Sequence, residues 1–175
     1  MIRGLLAGAA AGAFLVSSPV MAQAITEVDV FQAQQSWAEG IVAIGEAYAE
    51  GGDYRAVAEE LVDTLYAYGE GGALFKPTKA SEQPFRLTGE QALSYFVSGM
   101  FEEDEGFALQ PWSAVHFENA RMLIGNNSAT AMGNYYFTDA DTGEDVRVEY
   151  TFGYIRDADG NLVINVHHSS LPYDP

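Results

Sequence analysis

The sequence predicts an α+β domain in which N-terminal helices pack on one face of a curved, mainly antiparallel sheet. In the first half of the chain, apolar residues recur at helical spacing, whereas from Trp112 onward apolar and polar residues alternate. Short segments of turn-forming residues link the alternating runs, as in antiparallel hairpins. Helices followed by a meander of strands are typical of the α+β class. The chain has 175 residues, which suits one domain with its own core.

The N-terminal segment has the pattern of a secretory signal. Arg3 is followed by an apolar run over residues 4–16, and residues 22–24 form an A-x-A cleavage site. We therefore expect residues 1–24 to be a signal peptide and residues 25–175 to form a single domain. Export to the periplasm follows, with full secretion as the alternative, and the cleaved protein is not expected to bind a membrane.

The charge of the chain excludes some partners. It carries 25 acidic and 8 basic residues, a formal net charge of −17. Without a basic patch to neutralise phosphates, nucleic acid is not an expected partner. The chain has no cysteine, so it can form neither disulfides nor a thiolate metal site.

Three helices are predicted before the sheet. The first covers residues 26–50 and ends at Gly51, and Asp53 can cap the second. Thr88 begins the third, with Gln91 three residues later as a capping box. The apolar stripe of the first helix is formed by Val30, Ala33, Trp37, Ile41, Ile44 and Tyr48.

The strands are predicted from their alternation. A short segment at residues 73–78 is either a strand or the extended entry to a loop. The other runs with strand periodicity are residues 115–117, 122–124, 130–138, 146–156 and 162–170. Turn-forming residues at 125–127, 140–143 and 159–160 connect them.

The last strand ends in two histidines and two serines before Pro172. Because side chains alternate along a strand, His168 and Ser170 are expected on the apolar face of Ile164, and His167 and Ser169 on the opposite face. Imidazole can transfer protons near neutral pH, and hydroxyl groups suit an oxyanion. The alternative is a set of ordinary polar residues at a strand end. Neighbouring histidines that point to opposite faces cannot bind one metal ion without a bulge.

Three further segments are candidates. The loop at residues 76–79 carries both lysines of the chain around a proline and a threonine, so it can hold a small anion or be an ordinary solvated turn. Tyr95 on the third helix is either a core residue or a hydroxyl group in a pocket. The acidic run at residues 102–105 is more typical of a solvated loop than of a cation site.

Several of these segments together resemble the iota class of carbonic anhydrases. The similarity extends from about Trp37 to Pro172, and the terminal histidine–serine motif is its most specific part. The matching segments are residues 74–80, 92–97, 107–112, 115–117, 131–137, 148–154 and 167–172. The resemblance implies a fold like that of ketosteroid isomerases and the association domain of calcium/calmodulin-dependent kinase. That fold is a cone-shaped α+β barrel with an internal pocket.

The resemblance also implies a site. Thr78, Tyr95, His168 and Ser170 are the expected catalytic residues, because strand alternation places this histidine and this serine on the apolar face. The motif also allows His167 with Ser169, and we expect these two and Lys76 to bind substrate. The family often has three histidines before the serines, but Val166 replaces the first one here. We therefore expect no metal cofactor, with zinc or manganese as the alternative.

The expected activity is the reversible hydration of carbon dioxide to bicarbonate. A homodimer formed through the exposed face of the sheet is also implied. The competing hypothesis is a non-catalytic module of the same fold that binds a small ligand or dimerises. An isomerase acting on a hydrophobic ligand ranks last, because it needs a carboxylate as general base and none neighbours these motifs.

Overall fold

A computed structural model describes residues 24–175 of the chain, and in this part three α-helices pack against one five-stranded sheet. The predicted α+β class is confirmed. The predicted signal peptide lies outside the described residues, apart from Ala24. Between residues 24 and 175, no helix is both long and apolar enough to cross a membrane.

The second and third helices begin at the predicted caps, and the first begins one residue inside its predicted range. Helix α1 covers Glu27–Ala49, and its N-cap Thr26 forms a reciprocal capping box with Asp29. Asp53 caps α2 (Tyr54–Leu65), and Thr88 caps α3 (Gly89–Val97) by accepting a hydrogen bond from the Gln91 N–H. The predicted capping box of α3 is not reciprocal, because the Gln91 side chain accepts from the Leu87 N–H instead.

The sheet is mixed and open. Its strands are β1 (Leu74–Lys76), β2 (Trp112–Ile124), β3 (Ser128–Asp139), β4 (Asp145–Arg156) and β5 (Leu162–Ser170). Their order is β1-β5-β4-β3-β2, and only the β1–β5 pair is parallel. Since β1 and β2 are the two edges, this sheet does not close into the predicted barrel.

A bulge joins two of the predicted strand runs into one. The pairing of β2 with β3 shifts between Asn119 and Arg121, so Ala120 is an extra residue opposite the step from Gly133 to Met132. A side chain at Gly133 would place its Cβ 2.0 Å from the Glu118 carbonyl oxygen. Only glycine therefore allows β2 and β3 to approach this closely at the bulge.

Aromatic rings fill the space between the helices and the inner face of the sheet. Trp37 on α1 is 1 % exposed and lies at the centre of this core. Burying one large apolar side chain contributes roughly 1.5–3 kcal/mol to stability. The rings whose centroids lie 5.5–6.2 Å from that of Trp37 belong to Phe117, Tyr135, Phe137, Phe152 and His167.

Candidate functional site

The parallel pairing of β1 with β5 brings together two segments that are far apart in the sequence. Phe75 pairs with His167, and Lys76 pairs with His168. The chain continues through the buried Pro77 to Thr78, whose Oγ1 donates a hydrogen bond to Ser169 Oγ at 2.8 Å. A threonine hydroxyl and a serine hydroxyl therefore meet at one end of the sheet.

A bulge in β5 reverses the predicted faces of the terminal motif. Gly153 pairs with Val166 and Tyr154 pairs with Ile164, so Asn165 is an extra residue on β5. One extra residue moves all later side chains to the other face. The prediction that His168 and Ser170 share the face of Ile164 is therefore wrong.

The inner face of β5 instead carries the other histidine and the other serine. His167 and Ser169 are each 2 % exposed. His168 is exposed and Ser170 is half-buried on the outer face. The predicted set of four thus has two members inside the fold and two outside.

His167 lies among aromatic rings. Its ring stacks on Phe75, with centroids 4.4 Å apart and an angle of 17° between the planes, and it meets Phe152 at 4.1 Å. Tyr66 Oη lies 2.8 Å from Nδ1, and Tyr135 Oη lies 3.4 Å from Nε2. Burial, with a smaller contribution from His168, lowers the pKa of His167 well below the ordinary 6.5. The imidazole is therefore neutral at physiological pH.

Two tyrosines complete the set of polar groups. Tyr95 on α3 is 5 % exposed, and its hydroxyl accepts a hydrogen bond from the Lys79 N–H at 3.4 Å. Tyr135 on β3 is 2 % exposed and interacts with Ser169 and Thr78 as well as with His167. Burial raises the pKa of both tyrosines above 10, so both hydroxyls stay protonated and can donate.

A buried ion pair braces the elements that carry Thr78 and Tyr95. Arg86 follows the loop of Thr78, and its guanidinium lies 2.6 Å from the Asp104 carboxylate, with both side chains fully buried. The hydroxyl of Ser94, the residue before Tyr95 on α3, donates to the other carboxylate oxygen at 2.6 Å. The backbone N–H of Arg86 donates a hydrogen bond to the Phe75 carbonyl oxygen at 2.8 Å, which connects this network to β1.

A second carboxylate fixes the loop that follows Thr78. Glu103 accepts hydrogen bonds from the backbone N–H groups of Ser81, Glu82 and Gln83 at 2.8–3.0 Å. These bonds lower its pKa to about 2. The prediction that residues 102–105 form a solvated loop is therefore wrong for Glu103 and Asp104. Glu103 binds the backbone of residues 81–83, and Asp104 binds Arg86 and Ser94.

A cavity of about 220 Å³ opens beside Tyr95, between the loop after Thr78 and the loop before β2. Its lining does not include Thr78, His167 or Ser169. His168 and Ser170 instead line a separate depression of about 350 Å³ on the outer face of the sheet. The residues around the cavity beside Tyr95 are Lys79, Ser81, Glu103, Asp104, Glu105, Phe107 and Gln110.

The three histidines do not converge. His116 on β2 stacks on Tyr136 on the outer face, with centroids 4.8 Å apart. It is three strands away from His168 in the order of the sheet and is also displaced along the strands. Across residues 24–175, no group of three or more histidine and carboxylate side chains is arranged to hold a metal ion.

Four of the predicted site residues come together in the structure, and three do not. Thr78, Tyr95, His167 and Ser169 form the interior cluster described above. Lys76 lies beside His168, and its Nζ donates to the Ser169 carbonyl oxygen at 3.4 Å, so it supports the strand end. The remaining two predicted residues are on the outer face.

Sequence reasoning missed Tyr66 and Tyr135, which contact the two ring nitrogens of His167. The alternation of β3 contains a usable signal, because Tyr135 shares its face with Ala131 and Phe137. Tyr66 follows the last residue of α2 in an extended conformation, so helical spacing does not predict its direction. Only the tertiary packing shows that it faces His167.

Comparison with known proteins identifies the family. A sequence model of the metal-independent carbonic anhydrases matches residues 28–171. The chain belongs to this family. A metal-independent carbonic anhydrase from Nostoc sp. (strain PCC 7120) is 43 % identical over 164 residues, which cover 91 % of this chain and 80 % of the relative.

Solved structures agree with the membership in the metal-independent carbonic anhydrase family. The crystal structure of a cyanobacterial iota-carbonic anhydrase complexed with bicarbonate superposes with a TM-score of 0.85 and 42 % identity. The match covers 91 % of this chain and all of that one. An NTF2-like protein of unknown function from Pseudomonas putida is 15 % identical, with a TM-score of 0.53 over 85 % of this chain and 87 % of its own. The fold is therefore NTF2-like.

Proposed function

We propose that this carbonic anhydrase hydrates carbon dioxide reversibly to bicarbonate at the interior cluster of Thr78, Tyr95, His167 and Ser169. The single observation that carries the assignment is the 2.8 Å hydrogen bond between Thr78 and Ser169, formed where two family motifs meet beside a buried imidazole. The cyanobacterial relative of similar fold is complexed with bicarbonate. Tyr135, which reaches the same hydroxyls, is added to the proposed site.

The chemistry of this cluster suits both substrates. Aromatic walls, such as Phe75 and Phe107 beside Tyr95, favour the apolar carbon dioxide molecule. In the hydration step, the oxygen of a water molecule bonds to the carbon of carbon dioxide. An electron pair of one carbon–oxygen double bond moves onto the carbon dioxide oxygen of that bond. One water proton passes to solvent, which leaves bicarbonate. Hydroxyl donors in a dry site stabilise the oxygen that gains negative charge.

In this proposal, the two histidines of the terminal motif exchange their predicted roles, and so do the two serines. His167 and Ser169 take the catalytic places because they are buried beside Thr78. His168 and Ser170 have no place at the reacting atoms, because their side chains lie on the outer face. Lys76 acts by holding the Ser169 backbone rather than by contacting substrate.

We propose that no metal cofactor takes part. The family is described as metal-independent. The geometry supports the same proposal, because Tyr66 and Tyr135 occupy both ring nitrogens of His167. A metal ion at either nitrogen would have to displace a buried hydroxyl group.

The test is carbon dioxide hydration by the purified protein after exhaustive chelation, followed by stopped flow with a pH indicator. We expect turnover without metal and no gain when zinc or manganese is added. Activity that depends on added metal would keep the enzyme and overturn the metal-free proposal. Absence of activity in both states would favour the non-catalytic binding module.

We propose that the protein forms a homodimer through the outer face of its sheet. The strand register places three basic and three acidic residues on this face: Lys76, Arg121, Arg147, Glu118, Asp145 and Glu149. The face is thus nearly neutral in a chain of net charge −17, and two copies repel least there.

The dimer is tested by light scattering of a matched pair of variants. Met132 on the outer face is 57 % exposed, and Val28 on α1 is 61 % exposed. Met132→Lys is expected to halve the mass in solution, whereas Val28→Lys leaves it unchanged. A monomeric wild-type protein would contradict the proposal.

We also propose that the protein is exported to the periplasm and cleaved near residue 24, on the strength of the signal pattern in the sequence. Expression of the full chain in a Gram-negative host, followed by fractionation and intact mass, tests this. A cytoplasmic protein that retains residues 1–24 would contradict it.

A further inference from the structure

Both ring nitrogens of His167 have buried tyrosine partners. Tyr66 Oη lies 2.8 Å from Nδ1, and Tyr135 Oη lies 3.4 Å from Nε2. The three side chains are each 2 % exposed. Their hydrogens therefore pair with one another rather than with bulk water, and which nitrogen is protonated depends on the direction of these bonds.

Trp37 sets that direction. An indole nitrogen can only donate, and Trp37 Nε1 donates to Tyr66 Oη at 3.0 Å. The single hydrogen of the Tyr66 hydroxyl then pairs with its other partner, Nδ1 of His167. If Nδ1 carried a hydrogen instead, the Tyr66 hydrogen would be buried with no acceptor among these groups, which is unfavourable.

We propose that Trp37 and Tyr66 fix His167 as the neutral tautomer protonated at Nε2. His167 then donates its Nε2 hydrogen to Tyr135 Oη and is not the general base of the reaction. The Tyr135 hydrogen is thereby left to pair with the Ser169 and Thr78 hydroxyls. This inference rests on the proposed function for its catalytic meaning. Trp37 and Tyr66 are positioning residues, since they act through the imidazole.

The depressed pKa of His167 agrees with this assignment, because the imidazole stays neutral in the buried site. A neutral ring with a fixed Nε2–H offers one donor of constant direction. The ring is oriented further by its stacking on Phe75. Because that donor is paired with Tyr135 Oη, the arrangement directs the Tyr135 hydrogen toward the Ser169 and Thr78 hydroxyls of the proposed site.

The proton of the attacking water must then leave by another route. As the new carbon–oxygen bond forms, the water O–H bond breaks, and its proton passes to a hydroxyl oxygen that gives its own hydrogen to the next acceptor. Ser169 and Thr78 form such a pair once both hydroxyls rotate, so that Ser169 donates to Thr78 in place of the bond from Thr78 to Ser169. Ser169 is buried and Thr78 is half-buried. The transfer ends on water or buffer at Thr78, and no group of the protein keeps the proton.

The tautomer can be measured directly by nitrogen NMR of the wild-type protein labelled with ¹⁵N-histidine. The His167 signals are identified by their loss in His167→Gln. We expect a protonated Nε2 and an unprotonated Nδ1 from pH 8 to pH 6. A protonated Nδ1, or an exchanging mixture, overturns the inference, and this result does not depend on whether the protein hydrates carbon dioxide.

A matched pair of tyrosine variants tests the positioning role. Tyr66→Phe removes the donor to Nδ1, whereas Tyr68→Phe removes a hydroxyl that donates to the Arg86 carbonyl oxygen. We expect Tyr66→Phe to give a mixture of His167 tautomers and to lower turnover about tenfold or more, and Tyr68→Phe to do neither. An unchanged tautomer in Tyr66→Phe, or a changed tautomer with full turnover, overturns the role.

Discussion

His167 and His168 are adjacent in the sequence, but only one of them is separated from water. His167 is 2 % exposed among aromatic rings, whereas His168 is exposed on the outer face. Charging a buried imidazole costs free energy, because the charged form loses its hydration. The pair therefore allows the same substitution to be compared inside and outside the fold.

The pH dependence of stability should report the buried histidine. The folded-state pKa of His167 lies well below its unfolded value of about 6.5, so below this pH the unfolded chain binds the extra proton. We expect His167 to lower the free energy of unfolding as the pH falls from 6.5 to 5, with a slope that approaches roughly 1.4 kcal/mol per pH unit. Urea unfolding at several pH values measures it.

The control for this prediction is the neighbouring residue. His167→Gln should flatten the slope between pH 6.5 and pH 5, whereas His168→Gln should keep it. The carboxylates with lowered pKa, such as Glu103 and Asp29, contribute only at lower pH. A slope that survives in His167→Gln would mean that the buried imidazole is not its source.

Turnover should depend on the hydroxyl group of Thr78 more than on the size of its side chain. Thr78→Val keeps the shape but removes the donor to Ser169, and we expect a loss of turnover of about 10²-fold. Thr78→Ser keeps the hydroxyl and should retain most of the activity. The two variants are compared by stopped flow, and equal activities would exclude a role for the hydroxyl.

At the level of elements, the bulge in β5 decides which residues of the terminal motif face the interior. Gly153 on β4 leaves room for it, because a Cβ there would lie 2.8 Å from Asn165 Oδ1 and 3.0 Å from Val166 Cβ. A single glycine on one strand thus sets the orientation of the histidines on the next.

Gly153→Ala should therefore damage the site at a distance. We expect it to lower stability by about 1–3 kcal/mol and to lower turnover by more than the lost folded fraction explains. Gly69→Ala is the control, since nothing lies within 4 Å of a Cβ there and its backbone is not left-handed. Full activity and stability in Gly153→Ala would show that the strands can adjust without moving the motif.

The ion pair of Arg86 with Asp104 joins β1 to α3 and so relates Thr78 to Tyr95. Asp104→Asn removes the nearer of the two carboxylates beside the buried guanidinium and leaves Glu103 at 3.5 Å, so we expect a loss of about 3 kcal/mol, the lower end of the range for a broken buried pair. Thermal unfolding measures the loss. As a control, Glu59→Gln removes the exposed partner of Arg55 and should change stability by less than about 0.5 kcal/mol. If Asp104→Asn and Glu59→Gln had similar effects, the buried ion pair would not be bracing β1 and α3.

For the whole molecule, the class of the fold and the order of its elements follow from periodicity. The apolar stripe of the first helix, the caps at Asp53 and Thr88 and the alternation after Trp112 predicted the three helices and the strands from β2 to β5. The terminal motif and the threonine loop also predicted which segments meet. Caps, periodicity and short motifs depend on residues that are close in the sequence, so they can be predicted from the sequence alone.

The features that the sequence did not reveal depend on contacts between distant segments. The bulge at Asn165 follows from the pairing with Gly153, and strand alternation alone cannot detect an extra residue. The contacts of Tyr66 and Tyr135 with His167 join three separate elements. The open sheet likewise depends on which strands pair at its edges.

The most direct test compares Ser169→Ala with Ser170→Ala in chelated protein, by stopped-flow hydration of carbon dioxide. The two variants make the same change on neighbouring residues, one buried beside Thr78 and the other on the outer face. We expect Ser169→Ala to lose about 10²-fold or more in turnover and Ser170→Ala to remain close to wild type. The reverse order, with both variants folded, would place the reaction on the outer face of the sheet and contradict the interior site.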